Sequence, residues 1–155
     1  AAGADGQRGL MMAAGRIEAV ASEVAAREAG RAQARQRARE LADWLRQRML
    51  SHRARFVAAV NAAGAPHLDL IEITAVEPDD KSIRAFQFKI RRGRYEAVVV
   101  SKDRGEVMMV GPFKRGQDEG PCHPIHHQGG DPDRELLADH IETLLSALIE
   151  MSFTK

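Results

Sequence analysis

Cys122, His123, His126 and His127 fall within six residues, in the run PCHPIHH, and each offers a donor suited to zinc or another borderline metal ion. A closed zinc site needs four ligands in tetrahedral placement, and structural zinc patterns spread two ligand pairs over a longer span. Adjacent histidines such as His126 and His127 rarely hold one ion. Pro121 and Pro124 oppose a helical arrangement of His123 and His127. His67, His140, Asp131 or a second subunit would have to complete the shell. The plainer reading is a polar loop without a cofactor. Cys122 beside His123 also supplies the residue types of thiol catalysis, a nucleophile and a base. No third, orienting group can be named. The motifs H-E-x-x-H, G-x-S-x-G and G-x-G-x-x-G are absent, and GPFKRGQ (111–117) has the glycines and cations of an anion-holding turn without P-loop spacing. A non-catalytic chain is the expectation.

Arginine is the second source of chemistry. Between Arg31 and Ala63 there are eight, against only Glu40 and Asp43. Arg31, Arg35, Arg39, Arg46 and Arg53 would suit phosphates, with binding that weakens steeply in salt. Trp44 is the only nearby indole for stacking on bases, and no helix-turn-helix or RNA-binding signature is present. The same face would suit an anionic membrane surface if Leu41, Trp44, Leu45 and Met49 dipped into it. The bland alternative is that arginine and alanine form helix well and keep it soluble.

Those residues require elements to hold them. From Gly9 to Glu28 the chain is alanine-rich, and Leu10, Ile17, Val20 and Val24 recur at helical spacing. Gly30 is a place for a kink or a break between two helices. Leu41, Leu45, Met49, His52, Phe56 and Val60 then step by three or four, widened by Trp44, Leu50 and Val57 into a broad apolar face. Gly64 and Pro66 end the helix. At 1.5 Å per residue the stretch 31–63 alone runs to roughly 50 Å. A domain of this size has a radius of gyration of only about 15 Å, so such a helix must overhang, break or pack against a partner.

The period then changes to two. Strands are expected over 67–76, with a slip at Leu70/Ile71, and over 83–91, 95–101 and 107–111, joined by short turns as a four-stranded antiparallel meander. EPDDK (77–81) reads as a turn. Residues 112–130 read as a loop, and a final helix over 131–150 takes Asp131 as N-cap and Pro132 at its first position. The fold class is α+β: a disordered N-terminus (1–8), then one domain (9–155) with a helical arm (9–63), a sheet (67–111) and a C-terminal helix packed on the sheet.

Composition agrees with a soluble globular domain: 155 residues, 44% hydrophobic and 29% charged. No run reaches the ~18 apolar residues of a membrane span, and no secretory signal is visible, although the chain starts without Met. One cysteine excludes an internal disulfide and fits a reducing, cytoplasmic and plausibly bacterial setting. The net charge of +1 conceals a basic front and an acidic tail, which could attract each other within one chain or between chains.

The leading expectation is a protein-interaction or assembly module, a homodimer through the long helix, with Leu41, Trp44, Leu45, Met49, Phe56 and Val60 at the interface. Nucleic-acid binding through the arginine face is the alternative, and a metal- or thiol-dependent role for PCHPIHH the third. The helix–meander–helix order is similar to that of small bacterial secretion chaperones, which dimerise around unfolded clients, so the likeness implies a protein client. Those chaperones tend to be acidic, and this chain is not.

Overall fold

A computed structural model describes residues 2–79, 82–117, 120–126 and 133–154, without the side chains of residues 1–14, 80–83, 126 and 154. The elements in chain order are helix α1 (Ala2–Ala62), a 3-10 turn (Pro66–Leu68), strands β1 (Glu72–Ile73), β2 (Glu77–Asp79), β3 (Ser82–Arg92), β4 (Tyr95–Lys102), β5 (Glu106–Lys114) and β6 (Cys122–His126), and helix α2 (Arg134–Thr154). Residue contacts divide the chain into two units, Ala1–Ala34 and Arg35–Lys155.

The first unit is helix alone. From Arg16 to Gln33 every side chain is exposed, so the segment holds its conformation by alanine propensity and local pairing. Arg27 and Glu23, one turn apart, form a 2.6 Å ion pair. The break considered at Gly30 is absent, since α1 runs through it. A Cβ at Gly30 would meet nothing within 4 Å, so the glycine serves no close approach. Helix also covers the residues expected to be disordered, from Ala2 onward.

The second unit is an α+β domain. Here α1 ends as its sequence demands. Gly64 takes φ +75°, its N–H donates to Asn61 O (3.0 Å), and Ala65 N–H donates to Val60 O (2.8 Å). That reciprocal pair satisfies the last carbonyls of the helix.

The sheet is antiparallel with order β1-β3-β4-β5-β6, and β2 also lies along β3. Six strands therefore replace the expected four. Two corrections lie at one edge. The stretch 67–76 contributes only Glu72–Ile73 as strand, and the expected turn 77–81 contains β2. Thr74 closes the gap between them: its N–H donates to Lys89 O (2.9 Å), and its Oγ1 accepts from Lys89 N–H (2.8 Å). A side chain thus substitutes for a ladder carbonyl.

At the other edge β5 does not stop at Gly111. The β4–β5 register shifts between Glu96 and Val98, and Gly111 sits at φ +104°. A Cβ there would lie 2.9 Å from Glu96 O, so only glycine fits this bulge. Past it the chain continues to Lys114, and Cys122–His126 pairs with β5 as a further strand. The expected loop 112–130 is strand over both segments.

The core lies on one sheet face. Phe88, Ile90, Ala97, Val99, Val107 and Met109 meet Leu41, Leu45 and Met49 of α1 and Leu137, Ile141, Leu145 and Leu148 of α2. Each large side chain so buried contributes about 1.5–3 kcal/mol. Helix α2 starts later than expected: Asp133 caps it, Oδ1 accepting from Leu136 N–H at 3.1 Å. Asp131 and Pro132 lie outside the described residues. No described helix is long and apolar enough to cross a membrane.

Candidate interaction surfaces

The broad apolar face of α1 is occupied within its own chain. Leu45 and Met49 are 0% exposed and Leu41 is buried, all in the core cluster, with Trp44 and Phe56 packed against it and Val60 half-buried. Trp44 is further covered by guanidiniums, those of Arg48 at 5.8 Å and Arg134 at 5.0 Å from its ring. Leu41, Leu45 and Met49 are thus enclosed within the chain, while Trp44, Phe56 and Val60 keep part of their surface exposed.

The arginines are also largely committed. Arg46 donates from Nε to Thr74 O at 2.7 Å, tying α1 to the junction of β1 and β2. Arg39 stacks 5.9 Å from the Phe86 ring. Arg55 pairs with Glu142 at 3.2 Å and contacts His52 Nδ1 at 3.3 Å. Arg53 is half-buried and shares an open groove with Asp69, Glu72, Arg91 and Arg115, so carboxylates face the cations there. Arg35 is half-buried, and Arg31 and Arg37 are exposed. What sequence lists as one basic face is divided by folding into structural ties and a few solvated charges.

His52 belongs to the same helix–helix seam. It is buried between α1 and α2, and burial pushes its pKa below the ordinary value of 6.5. Glu142 and the Ala138 backbone oppose that shift, while Arg55 and Arg48 reinforce it.

The thiol and imidazoles separate by strand geometry. Cys122 and His123 are consecutive residues of β6, so their side chains leave opposite faces. Both are exposed, Cys122 opposite Val110 and His123 opposite Met109. The side chain of His126 and all of His127 lie outside the described residues. Among the described residues, no three of His, Cys, Asp and Glu gather as a metal site would require.

A smaller feature remains open. Ile17, Val20 and Val24 in the first unit are 77%, 58% and 55% exposed. Their spacing of three and four places them on one helix face. The spacing of these three residues is legible in the sequence. Comparison with protein-family models, with curated protein sequences and with solved structures finds no match to this chain.

Proposed function

We propose that this protein is a non-catalytic assembly module that pairs with a second copy of itself through the N-terminal part of α1. The observation that carries the reading is the exposed Ile17–Val20–Val24 stripe on a helix whose other neighbouring side chains are also exposed. An apolar helix face of this kind is buried by packing against another element, and the same helix of a second copy supplies one. In a heptad frame Ile17 and Val24 take position a and Val20 takes d. Arg16 and Glu23 then fall at g, and Glu28 at e.

Charge chooses the partner and its direction. Parallel pairing sets Glu23 against the partner's Glu28, a repulsive contact. Antiparallel pairing that layers Ile17 on the partner's Val20 sets Arg16 against the partner's Glu23, and the two-fold repeats the attraction. A second copy of the helix therefore complements the charges that flank the stripe.

Size exclusion with light scattering tests this. The wild type is expected to run as a dimer, and the triple variant Ile17→Gln, Val20→Gln, Val24→Gln as a monomer with the same β-sheet signal. Arg16→Glu alone is expected to weaken the dimer, and Arg16→Glu with Glu23→Arg to restore it. A wild-type monomer at high concentration would overturn the reading. A dimer indifferent to all three variants would move the interface elsewhere.

A further inference from the structure

A groove of about 470 Å³ runs between Arg53 and Val57 of α1 and the segment Asp69–Glu72, which leads into β1, and it reaches Arg91 near the end of β3. Its size falls within the range of small-molecule sites, roughly 300–1,000 Å³. One hydrogen bond sets how the two walls line up. Arg46 Nε donates to Thr74 O, and away from that tie α1 and the strand segment run in opposite directions. From Arg46 to Arg53 the helix rises roughly 10 Å, about the length of three extended residues. Arg53 therefore falls beside Ile71, and Val57, a turn further, beside Asp69 and Leu70. Ile71 is buried in the core, while Leu70 and Glu72 on either side of it are exposed.

The charges of this lining are only partly matched within the chain. Arg91 is taken, donating from Nε to Glu96 at 2.7 Å, and Arg115 donates to Gly93 O. Arg53 and Asp69 differ. They line one groove with opposite charges, yet they form no ion pair with each other, and neither side chain has a polar partner among the described residues. A simple ion is poorly served here, since an anion meets Asp69 and Glu72 and a cation meets Arg53. A molecule that carries both charges satisfies both walls, and a guanidinium fork is well shaped for a carboxylate. Val57 and Leu70, the latter 71% exposed, add aliphatic surface to the same lining, which an apolar side chain would cover.

We propose that this groove binds a free α-amino acid with an aliphatic side chain, its carboxylate on the Arg53 guanidinium, its ammonium on Asp69 and its side chain on Val57 and Leu70. The site lies within the second unit and does not depend on pairing through the N-terminal part of α1. Isotope-labelled full-length protein is titrated by amide NMR with leucine, with 3-methylbutylamine (leucine without its carboxylate) and with 4-methylpentanoate (leucine without its ammonium). Leucine is expected to shift the amides of residues 69–72 saturably, and each one-charge analogue to bind about threefold or more weakly. Arg53→Gln is expected to erase the lead of leucine over the amine and to keep its lead over the acid. Asp69→Asn is expected to do the reverse, with far-ultraviolet circular dichroism unchanged in both. The three ligands on the unaltered chain already decide the matter if a variant misfolds. Absence of a saturable shift at millimolar leucine would overturn the proposal. So would an analogue that binds as well as leucine, or a lead that survives in the variant meant to remove it.

Discussion

The two parts of α1 are made from the same materials and meet opposite fates. Residues 16–33 and 35–62 both combine alanine, arginine and apolar residues at steps of three and four. In the second part Leu45 and Met49 lose all contact with solvent, because the sheet and α2 return to cover them. In the first part Ile17, Val20 and Val24 stay open. Helical periodicity says that a face exists; what covers it depends on chain far away in sequence. Size misleads here too: the larger stripe belongs to the core, and the smaller one stays exposed.

Four experiments separate the two parts of the helix, starting with the largest expected effect. Leu45→Ala removes a fully buried side chain and is expected to cost about 2–5 kcal/mol, whereas Val20→Ala leaves monomer stability within about 0.5 kcal/mol. Chemical denaturation of both variants at low protein concentration measures the contrast. Equal losses would mean the two stripes are equally buried.

Arg46→Gln breaks a charge-assisted hydrogen bond to the Thr74 carbonyl at the junction of β1 and β2. Its expected cost is about 1.5–3 kcal/mol, while Arg31→Gln, at an exposed position, changes little. If Arg46→Gln is silent, the arginines of the second part are no more structural than those of the first.

Gly30→Ala acts in the other direction. With open space around its Cβ, the alanine should stabilise helix locally by about 1 kcal/mol. Amide exchange should slow near residue 30 and remain as before in β3 and β4. Faster exchange at residue 30 would show that the glycine serves a bend.

The smallest effect concerns His52. Its folded pKa is lowered, chiefly by burial, so the unfolded chain binds the proton more readily. Stability is then full above the unfolded value of about 6.5 and falls as pH drops from there toward the folded value. Wild type should lose more stability between pH 7.5 and 5.5 than His52→Gln does. Identical slopes would place His52 in water, like the side chains of the first part.

Much of the fold is legible in local signals. Gly64 and Pro66 announce the end of α1, β3 follows from alternation of apolar and polar residues, and β4 from a run of valines bounded by glycine-bearing turns. The misreadings have specific causes. Thr74 hides an edge strand because a hydroxyl, invisible to periodicity, completes the ladder. Gly111–Pro112 reads as a strand end because both residues punctuate chains, and only the neighbouring β4 backbone reveals a bulge through which β5 continues. Cys122 and His123 look like a cluster because adjacency in sequence resembles proximity; in a strand it places them on opposite faces.

Composition and spacing alone dictate that this chain is α+β, that a long helix opens it, and where that helix stops, because propensity, amphipathic period and the αL demand of a C′ glycine act over a few residues. Three-dimensional packing alone allots the surfaces. It spends the Leu41–Met49 face on the core, commits Arg46 to a backbone carbonyl, splits the thiol from its neighbouring imidazole and leaves Ile17, Val20 and Val24 uncovered. The physical reason is that burial is a property of pairs of elements, and the sequence of one element does not contain its mate.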